Sequence, residues 1–167
     1  MKFILMDKIE VLVPGERIET SKSLSLSEEY LADHFPTFPV LPGVLMLEAM
    51  TQSAAWLVRL EQNYANSIVV LKTARNVRYN YFLKPGNTLC CNVKVISIGD
   101  DGAKFSGEGY INDRLAVSAK LELACMNRKG NAPCGEKIDE RLVEVLKKEF
   151  ELVGGPAALQ AAGVASC

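Results

Sequence analysis

The chain has one histidine among 167 residues and no Cys-x-x-C pair, which leaves too few ligands at any recognised spacing for a metal site. Its five cysteines are odd in number and follow no paired spacing. Adjacent Cys90 and Cys91 would point to opposite faces of a strand, so the set reads as reduced thiols of a cytoplasmic protein, not as a disulfide frame. Charge of neither sign is in excess: 19 basic and 20 acidic residues give a formal net charge of −1. With no stripe of basic and aromatic residues either, there is no electrostatic case for nucleic acid as the main partner. The apolar start MKFILMDKIEVLV is broken by Asp7, Lys8 and Glu10 and lacks a small-residue cleavage site. It is read as mature structure ending in a strand, with no export signal.

What the chain does hold is apolar surface, 49% of its residues, enough for one domain with a real core. The segment from His34 to Leu60, HFPTFPVLPGVLMLEAMTQSAAWLVRL, concentrates both packing and chemistry. No residue from 44 through 60 is Gly or Pro, and apolar side chains fall on nearly every face of a helical wheel, so this helix must be enclosed on most sides. Prolines at 36, 39 and 42 favour a stiff extended approach, with Pro42 at the first helical position, and the approach delivers His34 to a fixed place. The stretch from Val40 to Leu60 is also long enough to span a bilayer. Glu48 near its centre and Arg59 near its end argue against a span, since a charge at mid-membrane costs about 2.5 to 3.5 kcal/mol.

Glu48 is the one carboxylate in this apolar run. Surrounded by Val44, Leu45, Leu47, Met50 and Trp56, it is expected to resist ionisation and to serve as a general acid. Gln52, one helical turn on, is its candidate hydrogen-bond partner. A lone histidine is more often structural than catalytic, yet an imidazole is also the natural general base near neutral pH. The N–H of Gly43 lies in the first helical turn, at the positive end of the dipole, where it can polarise a carbonyl. Base, acid and carbonyl anchor are what elimination of water across two adjacent carbons requires.

The string HFPTFPVLPGVLMLEAMTQ resembles the active-site segment of the FabZ-type (3R)-hydroxyacyl-[acyl carrier protein] dehydratases, whose pattern H-F-P-x-x-P-[VI]-x-P-G-V-L-x-x-E-A-M-x-Q it fills at every fixed position. A looser likeness runs from Met6 to about Met126 and includes VRYNYFLKPGNTL, where Asn87 stands in place of the family's Asp. The resemblance implies an α+β hotdog fold, an antiparallel sheet wrapped round a long central helix. It further implies that His34 removes the C2 proton, Glu48 protonates the departing 3-hydroxyl, and Gly43 binds the thioester oxygen, with no cofactor. His34 of one chain would meet Glu48 of another in a homodimer, or in a trimer of dimers. Acyl carrier protein or coenzyme A would carry the substrate.

Taken in order, residues 3–13 and 17–26 suggest a hairpin about Pro14-Gly15, and Ser27 is expected to cap a short helix, SEEYLADH. After the long helix, Ile68 to Leu71 starts one strand and a second extended run begins at Val77. Three strands follow as a meander, about residues 89–95, 105–111 and 115–123, turned by Gly99 to Gly102 and by Asn112-Asp113. Gly107 and Gly109 share a face with Phe105 and Ile111, where another backbone is expected to come close. The domain is taken as residues 1–130. Residues 131–167 form an extension with an amphipathic helix over 136–152 and an Ala/Gly-rich tail that is either disordered or a short helix from Pro156, exceeding the family pattern and without an assigned role.

Around the site, Tyr79, Tyr81 and Phe82 are candidates to line an acyl tunnel with Val44, and Phe38 to shape its entrance. Lys72, Arg75, Arg78 and Lys84 are candidates for a basic rim that docks an acidic carrier protein; solvated strand positions are the plain alternative. Competing readings are other thioester chemistry on the same fold, enoyl isomerisation or thioester hydrolysis, and a non-catalytic acyl-binding subunit.

Overall fold

The computed structural model describes residues 4–35, 37–130 and 134–162. Its strands are β1 (Lys8–Val13), β2 (Arg17–Ser23), β3 (Ile68–Tyr79), β4 (Thr88–Ile98), β5 (Gly102–Ile111) and β6 (Arg114–Met126). Its helices are α1 (Gly43–Glu61), α2 (Gly135–Leu152) and α3 (Gly155–Ala161). The strands form one sheet in the order β1-β2-β4-β5-β6-β3, and every neighbouring pair is antiparallel. The sheet curls round α1, whose side chains from Met46 to Val58 supply much of the core. Trp56, Phe105, Met50 and Leu57 are almost fully enclosed, each contributing on the order of 1.5–3 kcal/mol by leaving water.

The meander follows the period-two pattern closely. In β5 the inward residues Ala103, Phe105, Gly107, Gly109 and Ile111 alternate with Lys104 and Glu108. Asn112 and Asp113 both have positive φ, 48° and 61°, the geometry a tight two-residue hairpin needs to match strand twist. At Gly107 the helix does cross the sheet, but a side chain and not a backbone fills the space: an added Cβ would stand 3.0 Å from Met50 Sδ on α1. Gly109 instead makes room for Val117 and Leu89 of the flanking strands.

Three local expectations change. The helix begins at Gly43 with Pro42 as its N-cap, outside the first turn, because Pro42 has ψ 132°. Ser27 does not cap the short helix: that element is a single 3-10 turn, Glu29–Leu31, preceded by Glu28. The two extended runs expected after the long helix are one strand, β3, whose register shifts twice against β6, between Leu71 and Thr73 and between Arg75 and Arg78. Those irregularities break strict alternation, which is why the strand reads as two. Beyond it, Tyr81 and Phe82 lie in the connection to β4.

The 3-10 turn sits immediately before His34, and a buried lysine ties it down. Lys22 Nζ on β2 donates to Asp7 Oδ1 at 3.0 Å and to Glu28 Oε1 at 3.1 Å. Burial alone would lower this ammonium's pKa, but its two carboxylate partners outweigh burial and hold it above the usual lysine value. A pKa raised by folding gives stability that is complete below the unfolded value, near ~10.4, and lost as pH climbs through the folded one.

The C-terminal extension is docked on the domain. α2 lies against the end of α1, with Phe150 packed on Trp56 at 5.3 Å between ring centroids. A left-handed Gly154 turns the chain into α3, and the N–H of Ile9 on β1 donates to the carbonyl of Val153 at 2.8 Å. The tail beyond residue 162 lies outside the described residues.

Two outcomes follow. Replacing Lys22 with Met is expected to cost about 1 kcal/mol at pH 7. The gap from the unmodified protein should close above about pH 10.5 as the ammonium loses its proton; a gap independent of pH in urea titrations would contradict the pairing. Phe150→Ala should cost about 3 kcal/mol, and a loss under ~0.5 kcal/mol, the scale of an ordinary surface change, would show that α2 is not anchored there.

Candidate active site

His34 stands at the end of the segment that follows the 3-10 turn, half-buried, with the exposed Phe35 ring against it at 4.5 Å. Phe35 has φ 52° although a proline follows it, a strained combination of the kind that accumulates at functional positions. The approach to the helix is not the extended run the prolines suggest. The N–H of Phe38 turns back to the carbonyl of Phe35 at 2.8 Å. Pro36 lies outside the described residues. The loop is then fixed by the N–H of Leu41, which donates to the carbonyl of Leu83 at 2.9 Å.

A cavity of about 370 Å³ opens at His34, and Gly43, Tyr79, Tyr81 and Phe82 share its lining. Gly43 is where the helix dipole meets this cavity. Its N–H belongs to the first turn and has no intrahelical acceptor by position, and it carries the positive end of the nineteen-residue α1. The Tyr79 ring lies against it: a Cβ on residue 43 would come within 3.2 Å of two ring carbons. Glycine here lets an aromatic wall and a backbone donor occupy the same corner. Burial pushes the Tyr79 hydroxyl above its usual pKa, so it stays protonated. Phe38 packs edge-on to Phe82 at 6.0 Å between centroids, and Lys84 Nζ lies 4.7 Å above the Phe38 ring.

Glu48 lines a different cavity, about 290 Å³, together with Gln52, Trp56, Arg59, Val69 to Leu71, Leu146 and Glu149. The expectation that hydrocarbon shuts it away on all sides does not hold within one protomer. Glu48 is half-buried, because the sheet covers the Met46, Met50, Ser53 and Leu57 side of α1 and leaves the Glu48 and Gln52 side open. Val44, one turn earlier, is 66% exposed.

Gln52 does partner Glu48. Its Nε2 donates to Glu48 Oε1 at 3.0 Å, and its Oε1 accepts the N–H of Leu5 at 2.9 Å. The second bond fixes the first: a backbone N–H can only donate, so the amide oxygen must face Leu5 and the NH₂ must face the carboxylate. Among the described residues no hydrogen bond reaches the other carboxylate oxygen.

Of the remaining cations, Lys72 pairs with Glu122 at 3.3 Å. Arg75 borders a shallow groove with Lys104 and Lys120, and Arg78 is exposed on β3. Sequence reasoning did not find Arg114, whose guanidinium lies 5.9 Å from the Tyr81 ring centroid at the same mouth as Lys84. Nor did it find the share of α2 in the Glu48 cavity. The only signal for that was the amphipathic spacing of residues 136–152, which says that a face is covered without saying against what. No group of three or more potential metal ligands occurs among the described residues, and no helix there is long and apolar enough to cross a membrane.

Comparison with known proteins agrees with this geometry. A family model described as FabA-like domain matches residues 1–120. The 3-hydroxyacyl-[acyl-carrier-protein] dehydratase FabZ of Lactobacillus helveticus is 32% identical over 118 residues, covering 71% of this chain and 80% of the relative. Its namesake from Rhizorhabdus wittichii is 36% identical over 120 residues, 71% and 76% of the two chains. Among solved structures, the dehydratase heterocomplex ApeI:P from Xenorhabdus doucetiae superposes with a TM-score of 0.63 at 20% identity, over 75% of this chain and 85% of that one. A hypothetical thioesterase with coenzyme A from Streptococcus pneumoniae gives a TM-score of 0.54 at 12% identity, over 71% and 86%; these two likenesses speak for the hotdog fold alone. With its long helix inside one curled sheet and an unbroken motif from His34 to Gln52, the chain belongs to the FabA-like family, among the FabZ-type dehydratases.

Proposed function

We propose that the protein is a 3-hydroxyacyl-[acyl-carrier-protein] dehydratase of fatty acid biosynthesis, working as a homodimer whose two active sites each combine His34 of one protomer with Glu48 of the other. The observation that carries the shared site is the position of β3. It is an edge strand of the sheet; its first residues, Val69 to Leu71, border the Glu48 cavity, and its last, Tyr79, borders the His34 cavity. Antiparallel pairing of two such edges lays the start of one strand beside the end of the other. The Glu48 cavity of one protomer then abuts the His34 cavity of its partner, and the exposed Val70 and Tyr79 are covered.

In that composite site the thioester oxygen accepts the Gly43 N–H, and the helix dipole favours the negative charge that develops when C2 loses its proton. His34 takes that proton. Glu48 gives its own to the 3-hydroxyl, which leaves as water, and Gln52 keeps the carboxyl pointed at it. Two side chains complete both proton transfers, so the elimination needs no redox or electrophilic cofactor. Lys84 and Arg114 flank the aromatic mouth and suit docking of an acidic carrier protein there. Four free thiols among the described residues accord with work in the cytoplasm.

Hydration of a crotonyl thioester, followed as loss of enoyl absorbance, tests the reaction in reverse; release of free thiol instead would indicate hydrolysis. His34→Ala and Glu48→Gln should each lower the rate by about 10²–10⁴ with the oligomer intact. Mixing the two inactive proteins should then restore about a quarter of the activity, because half of the dimers are mixed and each has one undamaged site of two. No recovery on subunit exchange would refute the shared site. Gln52→Leu should reduce kcat by roughly tenfold, the scale of one lost hydrogen bond, with KM nearly unchanged. A change confined to KM would mean that Gln52 contacts substrate and does not position Glu48.

A further inference from the structure

Residues 135–162 lie wholly beyond the stretch that the family model matches, which ends at residue 120, yet they wall the cavity that holds Glu48. Leu146 and Glu149 of α2 face it from one side. From the other, α1 presents Glu48, Gln52, Ala55, Trp56 and Arg59, a spacing of four, three, one and three residues that is one stripe of a helix. At 1.5 Å per residue the stripe runs about 16 Å from the carboxylate to the last turn.

The two ends of this cavity differ. Glu48 and Gln52 mark the reacting end. At the far end Arg59 lies over the Trp56 ring at 4.8 Å, and its buried Nε has no hydrogen-bond partner among the described residues. Burial lowers the pKa of this guanidinium, and the charge of Glu149 works in the opposite sense. Between the ends the walls are hydrocarbon: Ala55, Trp56, Val69, Leu71 and Leu146. A volume of about 290 Å³ is at the bottom of the ~300–1,000 Å³ range of small-molecule pockets.

We infer that the C-terminal extension forms the floor of the acyl cavity and restricts the enzyme to short acyl groups, with Leu146 as the residue that sets the limit. The inference rests on the dehydratase reading. The α1 stripe offers an acyl tail whose 3-hydroxyl lies at Glu48 an apolar path, and α2 stands across it. A longer chain must either displace Leu146, which the Phe150 to Trp56 packing beneath it resists, or push methylenes against the Arg59 charge and strip its remaining water. The family model's match ends at residue 120, so α2 and the floor it forms lie outside that match.

The sole tryptophan of the chain, Trp56, lies in this wall and reports occupancy without turnover. Saturated butyryl, octanoyl and dodecanoyl thioesters of N-acetylcysteamine, which undergo no hydration, are titrated against the full-length protein and its Leu146→Ala and Leu146→Phe variants by Trp56 fluorescence. Each variant is checked for an unchanged urea midpoint, and a less disturbing Leu146→Val replaces any that fails. The unmodified protein should bind the butyryl thioester and bind the dodecanoyl thioester at least tenfold more weakly. Leu146→Ala should tighten octanoyl or dodecanoyl binding about tenfold relative to butyryl binding, and Leu146→Phe should weaken octanoyl binding relative to butyryl binding. The same order of affinities in all the proteins, or no response of Trp56 while His34-dependent hydration proceeds, overturns the inference. A Trp56 response that follows chain length in a protein unable to hydrate crotonyl thioester would instead overturn the dehydratase reading and leave the floor in place.

Discussion

A helix that is apolar round most of its circumference cannot rest on a flat surface; water would still touch half of it. The constraint on this chain is therefore enclosure of α1, and the sheet meets it by curling so far that strands β2 to β6 all contact the helix. Close approach at the crossing requires Gly107, whose missing side chain is where Met50 lies. A curled open sheet has two edges, and here they are β1 and β3. The first is covered from within the chain by α3. The second is the long strand left free to pair with another copy, and it carries active-site lining at each end.

Enclosure also decides where chemistry is possible. The sheet contacts the side of α1 that carries Met46, Met50, Ser53 and Leu57, and even the hydroxyl among them is satisfied, since Ser53 Oγ shares a 2.8 Å hydrogen bond with Thr20 Oγ1 and lies 2.8 Å from the Ala49 carbonyl. The stripe from Glu48 to Arg59 is what remains, too apolar to face water for long and too polar to be packed as core. Gln52 bridges the two regimes by spending its oxygen on the backbone of Leu5 and its NH₂ on Glu48. Glu48 is thus oriented by the same N-terminal segment that leads into β1.

The long run of α1, the hairpins of the meander and the turn at Asn112-Asp113 were legible in the sequence because each depends on neighbours within a few residues. The motif from His34 to Gln52 likewise pointed to the family, and Gln52 does partner Glu48 as its one-turn spacing suggested. Three things were not legible, and they share a cause. Apolar residues on every face of α1 cannot say which face the sheet leaves open, so Glu48 read as fully enclosed. Two irregularities in β3 hid one strand as two. The spacing of Leu146 and Phe150 marked a buried face but not its counterpart on Trp56. Each depends on where distant elements meet, and one chain's local pattern holds no record of that.

The free β3 edge and the docked extension act on the same cavity from opposite sides. Val69 to Leu71 form one wall and Leu146 with Glu149 the other, so the edge strand and the extension together decide what space Glu48 commands. An isolated edge strand of twelve residues with exposed Val70 and Tyr79 is a standing hazard for unspecific pairing. Closing it in the proposed two-fold dimer would remove that hazard and, in the same step, bring a His34 beside each Glu48. The pairing that would protect the fold is then also the one that would join the two cavities, since His34 and Glu48 line different cavities within one protomer.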